Sequence, residues 1–301
     1  MTKTRFVVAA ACGLVSVCAA AAQRPKPDVI PATGGDLTIV PITHGTLEIL
    51  YGSDVILVDP SRFGPAGTGL PPPPPPPEGA GGGQTGRTIA PPQPTSIPVT
   101  PEQMVAFKDL KPPTLILVTD VHEDHLDPGA ILALRTPTTR IVAPAAVVAE
   151  LSRTLLNGRP LPGISSLANG ATTTIGDVSI EAVAMYNTKP DAEFKQIFHT
   201  KGRGNGYIVT VGGKRLYIAG DTACTPEMKA LKNIDVAFLP MNLPFTMSGS
   251  EAAECALAFR PKIVYPYHHD NEDVKVFDSA LKGKGIEVRL RDWYLGQRAG
   301  R

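Results

Sequence analysis

VTDVHEDHLDP, residues 118–128, places Asp120, His122, Asp124 and His125 within six positions, and all four side chains bind divalent metals. The stretch follows TLILVT (114–119), a continuous apolar run that reads as a buried strand, and it ends at Pro128, a residue suited to the first turn of a helix. Side chains at a strand end leave the hydrophobic layer and can converge on a cleft. Imidazole with carboxylate suits zinc, manganese or iron, the carboxylates tilting preference toward harder ions. Four such groups exceed what one tetrahedral ion takes from a single loop, which points to two ions sharing the cluster. A single His–Asp pair on a loop more commonly caps and solvates; a metal reading needs partners elsewhere in the chain.

Upstream, LTIVPITHGTLEILYGSDVILVDP (37–60) reads as strands separated by turns, with Gly52-Ser53 joining a hairpin. Downstream, PGAILALR (128–135) and PAAVVAELSR (144–153) read as helices. VSIEAVAMY (178–186), GYIVTV and KRLYIAG (206–211 and 214–220), DVAFLP (235–240), KIVYPY (262–267) and IEVRL (286–290) read as strands. Ser248 and Glu251 form a capping-box pattern ahead of the helix EAAECALAF. Strand-rich halves, each followed by helices, predict an α/β fold: an αββα sandwich of two mixed β-sheets flanked by helices. Between the halves, residues 64–98 are rich in proline and glycine and hold few large apolar residues. Such a segment buries too little surface to offset its ordering entropy, so it reads as a surface insertion within one domain spanning 23–301.

The ends and the bulk composition narrow the function. MTKTR followed by FVVAAACGLVSVCAAAA reads as a signal peptide over residues 1–22, shorter than the about 20 apolar residues of a membrane span. Cleavage there predicts a secreted or periplasmic protein with no transmembrane segment. It removes Cys12 and Cys18 and leaves Cys224 and Cys255. An oxidising compartment permits that pair to join, but Cys255, inside an apolar helix, reads first as a buried, unpaired residue. A formal charge of +1 with no basic stripe argues against nucleic acid as a general partner and leaves a small-molecule substrate as the expectation.

TDVHEDH resembles the HxHxDH signature of the metallo-β-lactamase superfamily, with Asp120 standing where that signature has its first histidine. VDP (58–60) is similar to the family's early buried aspartate, AGDT (219–222) to its bridging-aspartate motif, and YPYHH (265–269) to its final histidine after a strand. The segment from ITHG to VDP, with FLPMNLPFTM (238–247), looks most like the UlaG-like branch of metal-dependent hydrolases. The resemblance runs over roughly residues 37–290, interrupted by the insertion. It implies a first ion on Asp120, His122, His199 and Asp221, and a second on Asp124, His125, Asp221 and His268, with Asp221 bridging. The ions would be zinc, with manganese or iron as alternatives. A pair about 3.5–4 Å apart generates hydroxide near neutral pH for attack on an ester, lactone, amide or phosphodiester. The family's middle histidine is missing from the strand end at Asn187, and His199 takes its place in this reading.

The remaining assignments are finer. Asp124 is the candidate catalytic proton acceptor. Asp59 reads as a buried hydrogen-bonding support and His44 as a turn histidine near the cleft. His268 and His269 are neighbours between which strand alternation does not choose. Asp221 has one competing role, as the cap of a helix before Pro226. Lys189, Lys201 and Arg203 are candidates for holding an anionic substrate, with at least two of them read as solvated. Two other functions share these residues: a mononuclear, iron-type redox enzyme, and a non-catalytic binding protein with a degraded first site.

Overall fold

A computed structural model describes residues 24–62, 101–156, 159–269 and 274–294. The signal peptide and the proline-rich insertion read from the sequence lie outside these residues. The first half contributes β1 (Asp28–Ala32), β2 (Gly35–Thr43), β3 (Thr46–Tyr51), β4 (Asp54–Val58), β5 (Leu115–Leu117) and β6 (Arg140–Ala143). It continues through the short ribbon β7 (Leu155–Leu156) and β8 (Arg159–Pro160) to β9 (Ile164–Ser166). The second half contributes β10 (Thr172–Ile175), β11 (Val178–Met185), β12 (Gly204–Val211), β13 (Lys214–Ile218), β14 (Val236–Pro240), β15 (Ile263–Tyr267) and β16 (Glu287–Val288). The helices are α1 (Pro128–Leu134), α2 (Ala145–Leu151), α3 (Pro226–Lys229), α4 (Gly249–Phe259) and α5 (Val274–Leu281).

Two seven-stranded sheets result, ordered β1-β2-β3-β4-β5-β6-β9 and β10-β11-β12-β13-β14-β15-β16. Each opens as an antiparallel meander and turns parallel, at β4–β5 in the first and at β13–β14 in the second. Parallel strands buried on both faces need continuous apolar sequence, which LIL and VAFLP supply. Ile39, Ile49, Val58, Tyr207, Val209, Phe238 and Trp293 fill the space between the sheets. A second apolar layer joins one sheet to α3, α4 and α5, and a third joins the other to α1 and α2. The predicted αββα sandwich is the observed one.

The parallel strands explain where chemistry can occur, because ligand-bearing loops of parallel strands leave from the carboxyl ends. Asp59 follows β4, Asp120 follows β5, Asp221 follows β13 and His268 follows β15. His44 follows β2, and its carbonyl accepts from the His268 amide at 3.1 Å, tying the ends of the two sheets together. The site therefore lies along the seam where both sheets stop.

Cys224 and Cys255 are joined in a disulfide, with Cα atoms 5.7 Å apart. This corrects the expectation of an unpaired, buried Cys255. The chain after Asp221 runs across the first turns of α4, where the Glu251 carboxylate accepts from the Cys224 amide at 3.3 Å, and this brings the sulfurs together. The same contact uses the predicted capping box in half: Ser248 Oγ accepts from the Glu251 amide, while the Glu251 side chain turns to Cys224. The crosslink closes a sequence separation of 31 residues. Replacing both cysteines with serine should lower unfolding stability by about 2–4 kcal/mol, read as a denaturant midpoint beside the oxidised parent; equal midpoints would mean the bond is not formed in solution.

Candidate metal centre

The 118–128 segment folds back immediately after β5. The amides of His125 and Leu126 both donate to the His122 carbonyl, at 3.0 and 2.8 Å, so the turn points His122 and His125 to different parts of the cleft. Asp127 is not a ligand: its Oδ1 caps α1 by accepting from Ala130, and its carboxylate pairs with Arg62 at 2.5 Å. One group of side chains is then Asp124, His125, Asp221 and His268, and another is Asp120, His122 and His199; in each group the donor atoms lie within 4.8 Å of one another.

The first group is built around Asp59. This residue has left-handed backbone (φ 44) and is fully buried. Its Oδ1 accepts from the Thr119 amide at 2.7 Å, and its Oδ2 accepts from the Thr119 hydroxyl at 2.6 Å and from His125 Nδ1 at 2.9 Å. Burial pushes the Asp59 carboxyl upward, and His125 and Thr119 oppose that. With its proton on Nδ1, His125 presents Nε2 to Asp221 Oδ2 at 3.2 Å and Asp124 Oδ1 at 3.8 Å. His268 Nε2 lies 3.2 Å from both Asp124 Oδ2 and Asp221 Oδ1. Carboxylate burial would raise both acids, but the facing histidines overcome it and hold Asp124 and Asp221 below the usual range. Burial would likewise lower His125, and Asp221, Asp124 and Asp59 hold it above its usual value. His125 Nε2 and Asp221 Oδ1 are buried without a hydrogen-bond partner. Two buried ligand atoms close to opposite charge but not hydrogen-bonded to it, in a set of two imidazoles and two carboxylates, fit a divalent cation.

Three residues of this group's framework, His44, Asp59 and His268, have positive φ without being glycine. Such backbone is uncommon in non-glycine residues and clusters where surrounding contacts impose it. His44, expected as a turn histidine near the cleft, is buried within the cluster: Nε2 lies 3.3 Å from Asp124 Oδ2, Nδ1 lies 3.2 Å from the Tyr294 hydroxyl, and the ring centroid is 3.7 Å from that of His268. The choice between neighbours is also settled in space. His268 faces Asp124 and Asp221, whereas His269 packs its ring against Tyr294, whose hydroxyl accepts from the His269 amide. Asp221 caps no helix, since Thr225 caps α3.

The second group differs. His199 is held by Asn187, whose Oδ1 accepts from the His199 amide at 2.8 Å and lies 3.2 Å from Nδ1. The Phe245 carbonyl also lies 3.2 Å from Nδ1. This leaves Nε2 facing His122 Nδ1 at 3.2 Å, Asp221 Oδ2 at 3.4 Å and Asp120 Oδ2 at 3.6 Å. Burial lowers the His199 imidazole, with Asp221 and Asp120 opposing. Asp120 is fully buried, and Arg203 grips it with two bonds, Nε to Oδ1 at 3.1 Å and Nη2 to Oδ2 at 2.6 Å. Burial raises Asp120, but the His122 and Arg203 bonds overcome it and bring the carboxyl to about 2. Of the three basic candidates, Lys189 is exposed, Lys201 pairs with Glu227, and Arg203 alone enters the site. Thr119, Asn187, Arg203 and Tyr294 belong to the site and were not singled out for these roles. The signal for Asn187 and Thr119 was present, since each stands at the end of a strand that delivers other site residues.

Two outcomes test this geometry. Asp59→Asn should weaken zinc affinity about 10- to 100-fold in a chelator-competition titration, because His125 loses its fixed tautomer; undiminished affinity in a folded variant would remove Asp59 from the site. Asp120 has a folded pKa below its ordinary value, so its contribution is present above pH 4 and is lost as pH falls toward 2. It amounts to about 2 kcal/mol, and Asp120→Asn should flatten the acid limb of a stability–pH curve in that window.

Comparison with known proteins agrees with this architecture. The family model described as a β-lactamase superfamily domain matches residues 92–269. A protein of Symbiobacterium thermophilum named UPF0173 metal-dependent hydrolase is 31% identical over 60% of this chain and 75% of its own length. A crystal structure from Parabacteroides distasonis, provisionally named a metal-dependent hydrolase, is 35% identical, covers 89% of this chain and 98% of its own, and superposes with a TM-score of 0.67. YhfI of Bacillus subtilis, a metallo-β-lactamase fold protein, shares 13% identity and covers 90% of this chain and 97% of its own at a TM-score of 0.56, a likeness of fold alone. The family model spans more than half the chain and the relatives match most of their own length, so the chain belongs to the metallo-β-lactamase superfamily.

Proposed function

We propose that the chain is an exported, metal-dependent hydrolase acting on a small molecule of the ester, lactone, amide or phosphodiester class. The observation that carries this reading is the cluster of Asp124, His125, Asp221 and His268, whose donor atoms lie within 4.8 Å of one another and two of which, His125 Nε2 and Asp221 Oδ1, are buried without making a hydrogen bond. A divalent ion held there supplies a Lewis acid for the substrate oxygen and a water made acidic near neutral pH. The chain's own groups do the rest. Asp59 holds the proton on His125 Nδ1 and keeps Nε2 turned to the ligand position. Asp124 is the carboxylate at the cleft surface, its side chain 20% exposed against 3% for Asp221, and so is the one placed to take a proton and release it to solvent. His44 steadies its Oδ2 from behind.

Substrate reaches the cluster on the side of His122, whose side chain is 42% exposed. Phe194 and Phe245 are exposed, the Phe194, Phe198 and Phe245 rings contact in series, and the Phe245 carbonyl lies 3.2 Å from Nδ1 of His199, the neighbour of His122. This rim suits a substrate with an apolar group beside the scissile bond. Export is supported by the N-terminal sequence and by the Cys224–Cys255 bond, since disulfides persist in oxidising compartments. Among the described residues no helix is long and apolar enough to cross a membrane.

The test is turnover of a nitrophenyl ester, a lactone and bis(nitrophenyl) phosphate by zinc- or manganese-loaded protein. At least one substrate should be cleaved. Activity should vanish with chelator and return with metal, and Asp221→Asn should lose about 100-fold. Metal binding of normal strength without cleavage of any of the three would count against hydrolysis.

A further inference from the structure

We infer that the guanidinium of Arg203 serves as the built-in cation of the Asp120, His122 and His199 group, so that the chain's full complement is a single divalent ion on Asp124, His125, Asp221 and His268. The inference rests on the reading of that four-residue cluster as the metal site.

The two groups differ in charge. Asp124 and Asp221 bring two carboxylates together, and among the described residues their ion pairs are to histidine alone. A divalent cation balances them. The other group has one carboxylate of its own, Asp120, already met by a full positive charge in a two-bond clamp. An arginine keeps its charge at any working pH and matches a carboxylate edge to edge. A second divalent ion would add two charges to a group that is already neutral, against a cation that cannot lose its proton.

Position makes the same point. Arg203 Nη2 lies 2.6 Å from Asp120 Oδ2 and 2.9 Å from His122 Nε2, against two of the three side chains that would hold an ion. The backbone puts it there. β12 begins one residue later, and the Asn205 amide donates to the Thr119 carbonyl at 2.9 Å, so Arg203 enters beside Asp120. Gly204 permits this approach: a Cβ at that position would sit 3.0 Å from the Thr119 carbonyl oxygen and 2.1 Å from Met185 Cε. Asp120 has no exposure to water, so the carboxylate depends on this partner. The side chain of Arg203 is 27% exposed, and Nη1 makes no hydrogen bond to protein among the described residues. It is thus the donor offered to a substrate oxygen where an ion would otherwise stand.

The test is metal content by elemental analysis after saturation with zinc and removal of loose metal, on the full chain. Wild-type protein should hold close to one ion, Arg203→Lys should stay at one, and Arg203→Met should rise to two. Two ions in wild-type protein would overturn the inference and leave the hydrolase reading standing. None would overturn both. One ion in a folded Arg203→Met variant would also overturn it, because the arginine would not be what excludes the second. If Arg203→Met fails to fold, the double variant Asp120→His, Arg203→Met removes both charges of the pair and offers three histidines: two ions there support the inference and one overturns it.

Discussion

Two carboxylates, Asp124 and Asp221, lie against the same imidazole, His125, at the edge where both sheets end. An ionised carboxylate withdrawn from water costs several kcal/mol unless positive charge and hydrogen bonds replace its hydration. The surrounding structure answers that demand. His125 is held in one tautomer by Asp59, and His268 is brought across from the opposite sheet. His44 contacts Asp124 with its ring, and its own backbone is bonded to His268. The unusual backbone of His44, Asp59 and His268 follows from the same demand, since a relaxed loop would aim these side chains elsewhere.

The neighbouring group meets the demand differently. Asp120 is as buried as Asp221, but its compensation comes from within the chain, through Arg203. An aspartate in place of the expected histidine is thereby explained. A neutral imidazole would leave the arginine without a partner, whereas a carboxylate makes a closed pair with it. Asn187 and His199 show a parallel exchange, the asparagine keeping the strand-end position and orienting a histidine supplied by the next loop.

Rigidity around the site comes from three directions. Thr119 and Asp59 lock β4 to β5, Arg62 and Asp127 lock the start of α1, and the Cys224–Cys255 bond fastens the chain after Asp221 to α4. A metal centre needs this, because ligand positions loose by an ångström weaken both affinity and chemistry.

The αββα sandwich was legible in the sequence because apolar runs such as LILV and VAFLP, too short for helices and bounded by turn residues, read as buried strands. The grouping of Asp120, His122, Asp124 and His125 was legible for the same reason, being contiguous. What lay beyond the sequence were pairings between residues far apart in it. These are the choice of His268 over His269, the disulfide between Cys224 and Cys255, the support of His199 by Asn187, and the capture of Asp120 by Arg203, 83 positions away. Each depends on the direction in which a side chain leaves a strand end and on the distance across a sheet edge. Pattern and propensity carry neither quantity; only the register of packed strands sets them.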